Sequence, residues 1–208
     1  LFLRVERLKC PTVALIHGHC MGGGMELALA CDYRVVENSR DCKLGLPEVK
    51  LGIHPGYGGA IRLPRLIDPG QALQLMLAGR ILDGKAAKRA GIADIAVHSR
   101  YFEEAGAALL KKGKRKKKRD FKQNLFALPP VRTLVGAMAA KQVAKKASKE
   151  HYPAPYRIID FWKQNPGGHE SAYLAEAESV AKLFAGANSV RTIENLVRVF
   201  LLDKELKS

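Results

Sequence analysis

The chain has 208 residues, 47% of them hydrophobic, and 35 Lys and Arg set against 20 Asp and Glu leave a net charge of +15. This length suffices for one good-sized domain, or a domain with a helical appendage, and the apolar fraction is ordinary for a globular protein. No apolar run approaches the ~18–20 residues that a membrane-spanning helix needs, so a helical span is excluded.

Residues 1–18 lack an initiator Met and the basic-start, apolar-middle, small-residue order of a signal peptide, and they read as a cut end. Residues 12–16 are β-branched and apolar between Pro11 and Gly18, which predicts a buried strand. Gly22-Gly23-Gly24 follows, and residues 25–30 are strong helix formers. Residues 33–36 predict a second strand and residues 42–45 a short third, stopped by Pro47. Glycine-rich turns over 52–59 lead to helices at 60–66 and 71–78, the latter closed by Gly79. Asp83 suits the N-cap of a helix over 84–90 that ends at Gly91, and residues 93–97 suit a strand. Strands alternating with helices predict an α/β layered core and not a bundle.

Eight of the nine residues 111–119 are basic. Such a run reads as a solvated, self-repelling linker. Nucleic-acid binding or an address signal is the other reading, which the lack of interleaved aromatics disfavours. A basic surface also helps to capture phosphorylated ligands. Beyond the run, residues 131–148, 155–164, 170–185 and 189–206 predict helices, punctuated by Pro153, Pro155 and Pro166-Gly167-Gly168. Cys10, Cys20, Cys31 and Cys42 form no CxxC pair, which speaks against zinc or redox chemistry and for buried free thiols in a reducing compartment.

Two acids stand out. In His17-Gly18-His19-Cys20-Met21-Gly22-Gly23-Gly24-Met25-Glu26-Leu27 a strand ends, glycines follow and a helix begins. Glycines admit a ligand close to the backbone, and a helix start offers unpaired N–H groups to negative oxygen. The turn could hold a phosphate or an enolate, with Glu26 beside it. A plain tight turn with a dipole-friendly Glu is an equal reading of the local pattern. Glu48, alone in an apolar stretch after Pro47, suits a buried carboxyl with a perturbed pKa, or a helix-start Glu facing water. His54 has no visible partner and reads as structural or exposed, and His17 and His19 have no set of metal partners.

These segments, in this order and spacing, resemble the enoyl-CoA hydratase/isomerase (crotonase) superfamily. The resemblance is carried by Pro11-Thr12-Val13-Ala14, Gly22-Gly23-Gly24-Met25-Glu26-Leu27, Cys31-Asp32-Tyr33-Arg34, Leu46-Pro47-Glu48 and Gly52-Ile53-His54-Pro55-Gly56. It continues through Arg62-Leu63-Pro64-Arg65 and residues 86–91. His151-Tyr152-Pro153-Ala154-Pro155 and the closing helices are similar to the segment after the hydratase core in fatty-acid-oxidation multienzyme alpha subunits. There that segment leads into a 3-hydroxyacyl-CoA dehydrogenase.

The resemblance implies an α/β fold. A crotonase-like ββα spiral core, N-terminally incomplete, would occupy residues 1–112. A basic linker over 113–130 would lead to an all-helical region over 131–208 and towards an absent dehydrogenase domain. It implies hydration of trans-2-enoyl-CoA to 3-hydroxyacyl-CoA in β-oxidation, with double-bond isomerisation as an alternative on the same site. A non-catalytic RNA-binding protein of the same fold is the rival class. Glu26 and Glu48 match the family's catalytic glutamates: the first would activate water toward C3 and the second deliver a proton to C2. The N–H of Gly23 matches an oxyanion-hole donor, and Gly22, Gly24, Pro55 and Gly56 match substrate-binding positions. The family's second oxyanion donor lies well upstream, so activity impaired by truncation is expected. No metal or covalently bound cofactor is implied. The CoA thioester is substrate, and NAD belongs only to the dehydrogenase domain. A homo-oligomer, a thiolase subunit as partner and a bacterial-type cytoplasmic location are implied as well.

Overall fold

The computed structural model describes residues 2–116, 121–165, 169–185 and residue 194. A short helix, α1 (Phe2–Glu6), precedes strand β1 (Val13–Ile16). The chain turns at Gly18, whose φ of 60° suits glycine, into β2 (His19–Met21) and helix α2 (Gly23–Ala30). Then come β3 (Tyr33–Glu37), β4 (Lys43–Gly45), a single 3-10 turn (Glu48–Leu51), α3 (Gly59–Leu66), α4 (Pro69–Ala78), β5 (Ile81–Asp83), α5 (Gly84–Arg89) and β6 (Ile95–Val97). The remaining described elements are helical: α6 (Phe102–Leu110), α7 (Phe121–Ala127), α8 (Pro129–Ala144), α9 (Pro153–Gln164) and α10 (Glu170–Phe184).

Two small sheets result. In one, β1, β3 and β6 run parallel in that order, with Ile16 opposite Val36 and Val36 opposite Ala96. In the other, β4 lies between β2, parallel to it, and β5, antiparallel. Consecutive strands β1 and β2 therefore enter different sheets, which gives the core its spiral course. Strand β3 is buried along its length apart from Glu37, as a parallel strand covered on both faces must be. Helix α6 covers one face, where Tyr33 and Val35 meet Phe102 and Leu109. On the other, Ile16 and Val36 join the main core.

The main core unites the two halves of the chain. Met25, Leu44 and Met76 share one cluster with Ile158, Ile159, Phe161, Trp162 and Leu183. Each such buried side chain contributes on the order of 1.5–3 kcal/mol, so α9 is a structural partner of the α/β part. Inside the core Arg34 is 1% exposed. Its guanidinium donates to the carbonyls of Ile92, Ala28 and Cys31 and pairs with Asp94, which ties the C-terminal end of α2 to the β3 layer.

The predicted strands and helices of the first part are present, but β1, expected to be buried, buries only Ile16 and leaves Leu15 exposed; Asp83 caps α5 by accepting from the Ala86 amide at 2.7 Å. Strands β2 and β5 are additions: each has three residues, and pairing with β4 alone defines them. The basic run starts anchored and not free. Lys114 pairs with Asp32, and Arg115 pairs with Asp94 and lies over the Tyr33 ring. The stretch read as a linker also contains α7, whose Phe126 meets Trp162 edge-on. All four cysteines are free thiols, but only Cys42 is buried and Cys10 is exposed, which corrects the expectation of four buried thiols. Apart from residue 194, the predicted helix at 189–206 lies outside the described residues, as do the Pro166-Gly167-Gly168 break and residues 117–119 of the basic run.

Candidate active site

Strand β2 runs into Gly22, whose φ of 56° and ψ of −129° suit glycine, and whose N–H is held by the Gly45 carbonyl of β4. Helix α2 starts one residue later, so Gly23 supplies one of the leading amides that have no partner within a helix. Glu26 sits in that first turn and is 2% exposed. Pro47 starts the 3-10 turn that carries Glu48, and Gly52, at φ 83°, ends it. The two turns touch: a side chain at Gly22 would begin 3.7 Å from Glu48 Oε1.

The glycine-rich loop before α3 holds Glu26. The amides of Tyr57 and Gly59 both donate to its Oε1 at 2.8 Å. The amides between and after them take another carboxylate. Gly58 N–H donates to Glu176 Oε2 at 2.5 Å and Ala60 N–H to Glu176 Oε1 at 2.9 Å. Four successive amides at the start of α3 thus alternate between a glutamate of α2 and one of α10. Arg62 braces the loop from below. It donates to the Tyr57 carbonyl and to Glu6, and it lies 4.8 Å from the Tyr173 ring centre.

His54 is buried at the loop's start. Its Nδ1 lies 2.7 Å from the Pro55 carbonyl, which can only accept, so Nδ1 carries the proton and Nε2 accepts from the Ser179 hydroxyl at 2.9 Å. Burial pulls its pKa down to about 4, so the ring is neutral and acts as a structural link between loop and α10.

Gly23, Glu26, Glu48 and Gly56 line one cavity of about 420 Å³, which Ala177, Val180, Ala181 and Phe184 of α10 wall on the far side. The carboxylates differ in surroundings. Both oxygens of Glu48 are buried without a hydrogen-bond partner among the described residues. Burial pushes its pKa up to about 7; its own backbone N–H offsets a part, and the charge of Glu26 adds a smaller rise. Burial also raises Glu26, but the Gly59 and Tyr57 amides and then Arg62 oppose it. A pair of carboxyls with unequal affinity for protons, facing one apolar cavity beside free helix-start amides, can take a proton from one side of a ligand and deliver one to the other. Among the described residues no group of three or more His, Cys, Asp or Glu is placed to hold a metal ion.

Of the residues singled out in the sequence, Glu26, Glu48, Gly23 and Gly56 meet in the cavity. Gly22 lies against Glu48, Pro55 is buried under the loop, and Gly24 is exposed. Sequence reasoning missed Glu176 and the wall of α10. A signal was present: on α10, Glu176 falls in the stripe Ala172, Glu176, Val180, Leu183, where every other member is apolar.

The family model for enoyl-CoA hydratase/isomerase matches residues 1–146. The chain is 43% identical over 185 residues, 88% of its length, to the fatty acid oxidation complex subunit alpha of Aliivibrio fischeri. It is 40% identical over its whole length to the subunit of the same name from Vibrio cholerae. It spans 27% and 29% of those two relatives. Among solved structures, a carnitinyl-CoA dehydratase from Mycobacterium avium is similar with a TM-score of 0.55 at 24% identity, over 87% of this chain and 58% of that one. An enoyl-CoA hydratase from Bacillus anthracis has a TM-score of 0.50 at 25% identity, over 95% of this chain and 63% of that one.

Proposed function

The chain belongs to the enoyl-CoA hydratase/isomerase family, and from that premise we propose that it adds water across the double bond of a trans-2-enoyl-CoA. The observation that carries the reading is the pair Glu26 and Glu48, buried in one cavity with unlike hydrogen bonding. Glu26, held by two amides, is the better carboxylate and takes a proton from water as its oxygen bonds to C3. Glu48, with its pKa near 7, gives a proton to C2. The thioester carbonyl gains negative charge in between, and the Gly23 amide at the start of α2 stabilises it. The apolar wall of α10 suits an acyl chain. Proton uptake and release balance once the two carboxyls exchange their proton through solvent.

The names of the relatives support placing this activity in fatty-acid oxidation, with the CoA thioester as substrate. NAD would serve a dehydrogenase unit of such longer proteins, and a thiolase subunit would complete the complex. We extend the reading to a homo-oligomer in a bacterial-type cytoplasm. The division into a core over 1–112, a connecting segment over 113–130 and a helical region over 131–208 is part of the same proposal.

The test is crotonyl-CoA hydration, followed by loss of the conjugated thioester absorbance. It is run on the 208-residue chain and on a form extended upstream by roughly a hundred residues, a domain of ordinary size. Glu26→Gln and Glu48→Gln each lower kcat by about 10²–10⁴-fold. Hydration by neither parent, or variants as fast as their parent, overturns the reading.

A further inference from the structure

The alternation of amides at the start of α3 gives Glu176 a function beyond packing. Glu176 is fully buried, at 0% exposure, on a helix whose other buried residues, Ala172 and Leu183, are apolar. A buried carboxylate with only structural neighbours is costly, and a Leu or Met would fill the space without that cost. What Glu176 meets instead is the loop that holds Glu26. Its two oxygens take the Gly58 and Ala60 amides, while Glu26 Oε1 takes the Tyr57 and Gly59 amides. Gly58, at φ 102°, sits between them, and a side chain there would collide with Arg62.

We propose that Glu176 is a positioning residue: it fixes the orientation of residues 57–60 from α10, and through them the direction and proton affinity of the Glu26 carboxylate. Residues 57–60 are one short stretch of chain. Rotating any peptide plane in it to satisfy one glutamate displaces the amides offered to the other. With both carboxylates in place, only one orientation satisfies all four amides.

The charged and titratable groups around Glu176 define its electrical effect. Glu26 faces it from α2 and Arg62 from α3, Tyr173 precedes it on α10, and Glu6 reaches the same place from α1 through Arg62. His54 is neutral. Burial first, and then the charge of Glu26, hold the Glu176 pKa well above the ordinary carboxylate range, while the Ala60 and Gly58 amides and then Arg62 oppose them; Glu176 therefore acts on Glu26 through the amides it holds.

The proposal rests on Glu26 as the base of the proposed hydration, so Glu26→Gln runs beside Glu176→Gln and Glu176→Asp in the same two parent forms. Glu176→Gln is expected to lower kcat about 10–100-fold, the scale of a misplaced reacting group, with KM changed by less than about 3-fold. The acidic limb of its kcat/KM profile moves to higher pH, because amides that no longer point at Glu26 stop lowering its pKa. Glu176→Asp, which keeps a carboxyl to accept from the amides, shifts that limb less and recovers part of kcat. A parent-like kcat and an unmoved limb in Glu176→Gln overturn the proposal. So does a variant that loses folded protein while its surviving molecules keep the parent profile, since that is a merely structural role. The unmodified chain supplies an independent measurement. Its four amide resonances at residues 57–60 shift together as the Glu26 carboxyl titrates, and Gly58 and Ala60 resonances that stay still sink the idea whatever the variants do. Should Glu26→Gln match its parent in rate, the hydratase reading fails, and the amide titration still decides the coupling.

Discussion

The first part of the chain and helix α10 each send a buried glutamate to alternate amides of one four-residue run, yet they differ in how the glutamate arrives there. Glu26 is placed by its neighbours in sequence: a strand, a glycine at positive φ and the first turn of a helix fix its position within a few residues. Glu176 is placed from a distance. Its place in an apolar stripe of α10 is the one local sign of burial, and its partners are more than a hundred residues away. Local geometry can position one carboxyl; fixing the loop that grips it takes a second element, brought in by the packing of the whole core.

The sharpest way to break this arrangement is at the junction. A side chain at Gly59 would begin 2.8 Å from Glu26 Oε1 and 2.9 Å from Pro55 Cβ. Gly59→Ala is expected to displace the carboxylate and cost about 100-fold in kcat, read in the crotonyl-CoA assay against far-UV circular dichroism of the same preparation.

This difference also explains what the sequence made legible. The glycine turn, the Pro47-Glu48 step and the capping of α5 by Asp83 are short-range devices, and residue type and spacing announce them. Strands β2 and β5 exist because β4 lies between them, and three residues such as His19-Cys20-Met21 carry no period from which to infer that. The anchoring of Lys114 and Arg115 by Asp32 and Asp94 was hidden for the same reason, since a charge run looks the same whether or not acids fold against it. His54 could be read as structural, but its partner Ser179 could not. Glu176 resembled its exposed helix neighbours Glu170 and Glu178 until its place in the apolar stripe was weighed.

Stability gives a second test of the comparison, smaller in effect. Glu48 keeps a raised pKa of about 7 because burial disfavours its charge. Between the ordinary carboxylate value and about 7 the folded chain then binds more protons than the unfolded one, so this group's contribution falls as pH rises through that window. Glu48→Gln removes the penalty. At pH 8 it is expected to stabilise the chain, on the order of a few kcal/mol, with little change at pH 4. Equal urea midpoints for parent and variant at both pH values contradict the burial argument. The smallest effect belongs to Ser179→Ala, which takes the hydroxyl from His54 Nε2. It is expected to cost about 1 kcal/mol in urea unfolding and to leave kcat within about 2-fold of the parent, because neither group donates to Glu26.

The reach of Glu176 has a consequence in time. The bond from Gly58 to Glu176 closes a separation of 118 residues. Closing so long a loop is slow compared with forming α2 or α3, whose contacts are near neighbours. In refolding, helical signal should therefore return before hydration does. For an interval the chain would carry both of the carboxyls proposed to react, folded in their own turns, and still be silent: on the proposed reading, competence is the last thing it acquires, when α10 docks.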